Sequence, residues 1–360
     1  MKPPPQPLDW VVVHVVLALL LAAAAPSFVR LQLDETPHLF DDGELEPLRR
    51  NLEAQVDWYT SLEQDTRWPL GDDTVSASQL QAGCLALLVF LEPGNVGSLD
   101  RLVRDRFDLY AAVSGTDTGR VLFTGYHNPV FPASLEPDSV YRYPLYRKPD
   151  RGSRRTRKEI DQDLVLAGRG LEVAWLRDRF DRYEIHIEGS ATLVLPDSST
   201  RNVRYDGYNG YPYHSLGRAL VRHGVLPPES TAMDEMRRYF QRHPEKLQRW
   251  LNHNTSYCFF KLDSRDAPGS LNLPLVPERT MAMDADIFPP GIACWIALRV
   301  PVGDSTEGIA RLALNQDRGA AIKGPARADI FWGTGERPAL LARTLKTHGR
   351  LLLLVPKQRP

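Results

Sequence analysis

Apolar residues recur at intervals of three and four across residues 45–62, at Leu45, Leu48, Leu52, Val56, Tyr59 and Leu62. That is the spacing of one face of an amphipathic helix. A more apolar stretch, 78–91, predicts a second and more buried helix, stopped by Pro93-Gly94. Beyond it the period shortens. Alternating or apolar runs bounded by turn residues predict strands at 121–123, 183–187 and 191–195. Helical spacing returns over 215–223, ending at Gly224, a residue suited to the left-handed position after a helix. Thr231 with Asp234 predicts the cap of a helix through Met236 and Tyr239-Phe240, and Pro244 the start of another reaching Trp250-Leu251. Strands follow at 257–262, 294–300, 309–314, 330–332 and 350–355. Helices, strands, helices, strands suit two β-rich units, one inserted in the other.

Composition agrees with that outline. The 360 residues include 29 Pro and 25 Gly, which favours many turns and short strands. Charged residues make up 25% and the net charge is −1, so nothing in the bulk charge points to nucleic acid. Lys2 precedes an apolar run over 10–25, which reads as an export signal over 1–27. Pro26 follows a cleavage site poorly, so an uncleaved N-terminal anchor is the alternative. No Cys ends the run, which excludes an acylated lipoprotein N-terminus. Cys84, Cys258 and Cys294 all sit in apolar segments and read as small core residues.

Candidate chemistry collects in a few places. Asp317 and Asp329 flank a turn bounded by Gly319 and Gly324, with a third acid, Asp284, upstream. Carboxylates beside glycine turns are where a substrate backbone can approach an acid. The block 204–215 sets four tyrosines among Asn, Asp and Gly. Rings beside amides and hydroxyls suit sugars, whose C–H faces stack while their edges take hydrogen bonds; a loop of core-capping tyrosines accounts for the block equally well. Residues 123–129 read as a strand ending in a polar, aromatic turn, and 187–190 as a strand ending in Glu188, Gly189 and Ser190. The stretch 147–158 carries seven basic residues and reads as a solvated loop. Asp317-Arg318-Gly319 is not the paired Asp-Thr/Ser-Gly of aspartic proteases. No P-loop, zinc-protease or serine-hydrolase motif occurs.

Taken in order, Phe123-Thr124-Gly125-Tyr126, Tyr143-Pro144-Leu145-Tyr146, Thr156-Arg157-Lys158-Glu159-Ile160, Ile187-Glu188-Gly189-Ser190, Gly207-Tyr208-Asn209-Gly210-Tyr211-Pro212-Tyr213 and the three-aspartate C-terminal module resemble the membrane-bound lytic murein transglycosylase A family. The resemblance implies a mainly β protein with flanking helices: a double-psi β-barrel from 28–125 and 262–356, a second β-rich domain inserted over 126–261, and a groove between them. It implies cleavage of the MurNAc-β-1,4-GlcNAc bond of peptidoglycan with formation of a 1,6-anhydroMurNAc end. No cofactor or metal is implied. By motif position Asp329 is the catalytic acid, Asp317 an auxiliary acid and Asp284 a structural or electrostatic third. Thr124, Gly125, Tyr126, Glu188, Gly189, Ser190, Asn209, Tyr213 and Lys323 would contact glycan. The implied partners are peptidoglycan glycan strands and other cell-wall enzymes, with no nucleic acid. The implied location is the periplasm or cell envelope, with peripheral or N-terminally anchored membrane association. Glu188 stands where the family usually has Gln, and Arg318 where it has a small or β-branched residue that leaves Asp317 without an adjacent cation. A non-catalytic glycan-binding scaffold and a hydrolytic muramidase, with Glu188 positioning water, are the other readings.

Overall fold

The computed structural model describes residues 28–92, 98–114, 117–150, 154–229, 232–263, 269–319 and 321–357. The expected export signal, the Pro93-Gly94 stop and Thr231 lie outside them. Strands Arg120–Asn128, Thr280–Ala282, Ala293–Val302, Ser305–Asp317, Arg327–Thr334 and Lys346–Pro356 pair in a ring. The ring closes where Lys346–Pro356 pairs with both Ala293–Val302 and Arg120–Asn128. This is the expected barrel. Its interior is a continuous apolar cluster that includes Phe123, Met281, Ile296, Leu314, Ile330 and Leu353.

The helix Leu45–Thr60 lies against this barrel and buries Leu48, Leu52 and Tyr59, as its spacing predicts. The same face also buries Asn51 and Gln55, each of which makes a hydrogen bond across to the barrel. Asn51 donates to the Arg279 carbonyl at 3.0 Å, Tyr59 to the Pro290 carbonyl at 2.8 Å, and Gln316 to the Gln55 side chain at 3.1 Å. Thr280 donates to Gln316 at 2.9 Å. The residue preceding Asp317 is thus pinned from two sides.

A second sheet comprises Val130–Ser134, Tyr143–Tyr146, Glu172–Leu176, Ser190–Val194, Thr200–Tyr208 and Cys258–Asp263. It encloses its own core, Phe131, Leu145, Leu176, Leu193, Val203 and Phe260 among others. Arg120–Asn128 runs from the barrel straight to this sheet, with only Pro129 between it and Val130–Ser134. The turn expected within 123–129 is therefore strand through Asn128. A helical cluster packs beside the sheet, burying Phe180, Leu216, Leu220, Met236, Phe240, Leu247 and Leu251. Helices Leu216–Arg222, Met233–Arg242 and Pro244–Leu251 match the expected spans, the last with Pro at its first turn.

One element reverses its expectation. Residues 183–187 lie in the helix Arg179–Glu188, not in a strand. Asp178 caps it, its carboxylate accepting from the Phe180 and Asp181 amides, and Gly189 ends it at φ 79°. Tyr183, Ile185 and Ile187 alternate with polar residues because this helix is buried on several sides, with His186 and Arg182 also enclosed. The basic stretch 147–158 differs as well: Arg157 is 1% exposed and holds the Asn254 and Ser256 carbonyls and His186. Cys84 and Cys294 are buried and Cys258 half-buried, and all are free thiols.

Candidate active site

The site is built on the barrel strand 280–282. Ala282 pairs with Asp317 on one side and with Asp329 on the other. The two acids are thus neighbours across one strand, although twelve residues separate them in sequence. On its far side Asp329 pairs with Thr124 of the crossing strand, and Phe331 pairs with Tyr126. Alternation along these strands puts Thr124 and Tyr126 on one face and Asp329 and Phe331 beside them. The Tyr126 and Phe331 rings lie 5.2 Å apart.

The three aspartates differ in what their oxygens touch. Asp284 accepts from Lys323 Nζ at 3.0 Å, the Gly324 amide at 2.8 Å and the Asp286 amide at 3.2 Å. Burial works against its charge, but these donors outweigh it and hold the carboxyl below the usual range. Asp284 therefore ties the turn after Asp317 to the chain just after the barrel strand 280–282. Asp317 accepts from the Tyr126 hydroxyl at 2.9 Å on Oδ2, and from the Ser270 and Arg318 amides, each at 2.9 Å, on Oδ1. Burial still raises its pKa. Arg318 meets Asp317 through its backbone amide; among the described residues its guanidinium forms no ion pair with that acid.

Asp329 is the exception. Its Oδ1 is buried and has no hydrogen-bond partner among the described residues. Burial pushes its pKa up to about 6, opposed by the Arg327 guanidinium at 3.9 Å. Arg327 in turn donates to Thr124 Oγ1 at 3.2 Å.

From the insert, the C-terminal end of helix Arg179–Glu188 delivers Glu188. Asn128, at the end of the crossing strand, donates to Thr192 at 2.8 Å and accepts from Ser190 at 3.2 Å. This clamp fixes the chain just after Glu188 and Gly189. Burial, then the charges of Glu184 and Asp329, push the Glu188 carboxyl up to about 8. Glu184 lies one helical turn earlier, a like-charge pair at i, i+4.

The other expected contacts divide. Tyr213 is exposed, as are Tyr205 and Tyr208, so these rings are open to a sugar. Lys323 is largely exposed but already paired with Asp284 and Asp286. Asn209 corrects its expectation. It is 2% exposed, donates to the Arg155 and Thr255 carbonyls, and accepts from the Tyr211 and Tyr257 amides. Its amide is saturated by backbone, so it shapes the tyrosine loop instead of touching glycan. Gly125 has a packing reason to be glycine: a Cβ there would meet Trp332 Nε1 at 2.5 Å. Asn128, Arg327 and Glu184 were not among the residues singled out from sequence. Arg327 was signalled by the two-residue strand repeat before Asp329, and Glu184 by helical spacing that the strand reading hid.

A family model described as the MltA specific insert domain matches residues 122–261, and one described as the 3D domain matches 279–355. The chain is 31% identical over 252 residues to membrane-bound lytic murein transglycosylase A of Escherichia coli K12, covering 67% of this chain and 68% of that one. The chain belongs to the membrane-bound lytic murein transglycosylase A family. The Vibrio cholerae member is 33% identical over 245 residues, 66% of either chain, so the match spans about two thirds of each relative. Among solved structures, a membrane-bound lytic murein transglycosylase from Agrobacterium tumefaciens superposes with a TM-score of 0.75 at 28% identity, covering 92% of this chain and 98% of that one. The Escherichia coli family member with bound chitohexaose gives 0.73 at 23% identity, covering 93% and 95%, a likeness of fold.

Proposed function

We propose that Asp329 is the single proton carrier of a lytic cleavage of peptidoglycan in the cell envelope. Family membership makes the chain a peptidoglycan lytic transglycosylase; the assignment of roles to residues is ours. The observation that carries it is the buried Oδ1 of Asp329, which accepts no hydrogen bond among the described residues, with its pKa raised to about 6. A carboxyl kept partly protonated near neutrality can give its proton to the glycosidic oxygen. The C1–O bond then breaks and positive charge develops at C1. The Asp329 carboxylate takes the proton of the muramoyl C6 hydroxyl as that oxygen bonds to C1, forming the 1,6-anhydro ring. Both groups belong to one sugar, and such attack reaches effective molarities of about 10⁵ M or more, which removes the need for water. One carboxyl suffices, where hydrolytic glycosidases generally use two.

Asp317, held by Tyr126 and two amides, supplies negative potential beside the developing charge. Tyr205, Tyr208 and Tyr213 offer rings to the sugars further along. The hydrolytic reading is disfavoured by Glu188: a carboxyl raised to about 8 is mostly neutral at pH 7, which leaves little of the carboxylate form that would deprotonate water. The relatives are named membrane-bound. Among the described residues no helix is long and apolar enough to cross a membrane, so we assign membrane association to the N-terminal apolar run.

Mass spectrometry of digested sacculi tests the assignment. We expect anhydromuropeptides from the wild type and none from Asp329→Asn, with sacculus binding retained. Reducing-end muropeptides from the wild type, or undiminished cleavage by the variant, would sink it.

A further inference from the structure

Away from Asp329, a cavity of about 840 Å³ opens on the insert between strand Tyr143–Tyr146, helix Arg157–Asp161, the start of helix Arg179–Glu188 and helix Pro244–Leu251. Five basic side chains (Arg142, Lys158, Arg179, Arg182 and Arg249) face two acidic ones, Asp161 and Glu245, in its wall. That is a concentration of positive charge on a chain whose net charge is −1. The guanidinium groups of Arg142, Arg179 and Arg182 lie 5.7, 5.2 and 5.9 Å from the ring of Tyr143. Arg182 is buried at the floor, 2.7 Å from Asp161, which also lies 3.6 Å from the buried Arg157. Asp161 is thus committed to two buried arginines. Among the described residues no carboxylate forms an ion pair with Arg142, Arg179 or Arg249. Cations gathered this closely repel one another until an anion joins them. Planar guanidinium groups suit carboxylates in particular.

We propose that this cavity binds the carboxylates of the acidic stem peptide carried by a peptidoglycan strand; this rests on the lytic transglycosylase reading above. Size and reach favour that ligand. The volume lies within the range of about 300–1,000 Å³ usual for small-ligand pockets. Helix Arg179–Glu188 links the cavity to the reaction site. Arg182 and Glu188 are six residues apart on it, about 9 Å along the axis. A three-residue extended peptide spans about 10 Å. A stem attached to a muramoyl unit near Glu188 is long enough to cover that axial distance. Tyr143 offers a flat apolar surface to the aliphatic part of such a peptide, which a bare inorganic anion does not require.

The test uses the full chain and the double variant Arg142→Gln/Arg249→Gln, whose side chains are exposed and carry no core contacts. Release of anhydro products is measured on intact sacculi and on glycan strands stripped of stems by an amidase. We expect kcat/KM of the double variant to fall about tenfold on intact sacculi, the loss of one charge-assisted contact, and to match the wild type on stripped strands. Equal rates of wild type and variant on both substrates would overturn the proposal. Titration by NMR decides the cavity independently of turnover. The tripeptide L-Ala–D-Glu–diaminopimelate should shift signals of the cavity residues in the wild type and not in the double variant. Shifts with inorganic phosphate but none with the tripeptide would overturn it. A wild type that binds the tripeptide yet yields no anhydro product would instead count against the catalytic reading.

Discussion

Asp284, Asp317 and Asp329 are chemically identical residues with three different fates. Donors saturate the first, share the second and leave one oxygen of the third bare. The pH profile follows. In the proposed role Asp329 acts in its protonated form, and its pKa is raised to about 6, so kcat/KM should fall about tenfold per pH unit above that value. Arg327 opposes the rise, so Arg327→Ala should move this limb to higher pH; a limb that stays put or moves lower would contradict the assignment. Glu188 is pushed higher, to about 8, by burial and by the charges of Glu184 and Asp329. Below pH 7 it is neutral, so Glu188→Gln should cleave sacculi at the wild-type rate there. Above pH 8 the wild type gains a negative charge beside Asp329, which favours the protonated form of Asp329, so it should lose activity less steeply than the variant. A rate profile of both enzymes from pH 5 to about 9 checks this.

At the scale of elements, the helix Arg179–Glu188 is the instructive case. Its boundaries were written in the chain, Asp178 as cap and Gly189 as terminator, yet three alternating apolar residues suggested a strand. Periodicity separates a strand from a helix only when one face meets water. Here Phe180 and Tyr183 pack with Phe240 and Leu216 while Ile185 faces the sheet core, so both patterns are satisfied. The consequence bears on the site: a helix carries Glu184 and the cavity residues Arg179 and Arg182 on the same rigid rod as Glu188. The pairing of Arg120–Asn128 with Arg327–Thr334 matters as much. A methyl at position 125 would press on the Trp332 indole and approach Ala342 Cα at 3.1 Å. We expect Gly125→Ala to destabilise by about 1–3 kcal/mol in urea unfolding, as overpacking does, and to cut turnover by displacing the strand that bears Asp329. An unaltered midpoint would show that the indole moves aside freely.

The whole molecule is tied together through Arg279. Its side chain is buried, paired twice with Asp41 at 2.6 and 2.8 Å, and donates to the Leu312 and Glu44 carbonyls. It joins the N-terminal segment to the strand on which both acids depend. Breaking a buried pair from one side leaves a bare charge, so Arg279→Ala should lower unfolding free energy by about 3–5 kcal/mol, measurable by denaturant titration. A loss below about 1 kcal/mol would mean that Asp41 finds water or another donor.

The family resemblance implied the barrel, while the sequence pattern by itself determined an outline of two β-rich units, one inserted in the other, the helices around the edges, and which short blocks carry acids and rings. Those are local properties: period, punctuation and residue type. Only the tertiary structure decided which aspartate has a buried oxygen without a hydrogen bond among the described residues, that Asn209 serves the backbone, and that Arg157 is core. Each of those depends on desolvation and on donors brought from distant segments. Asp329 is flanked by Thr124 and Ala282 through strand pairing, and among the described residues no donor gives its buried Oδ1 a hydrogen bond, Arg327 stopping at 3.9 Å. Sequence spacing cannot report a missing hydrogen bond, because the missing partner belongs to another part of the chain.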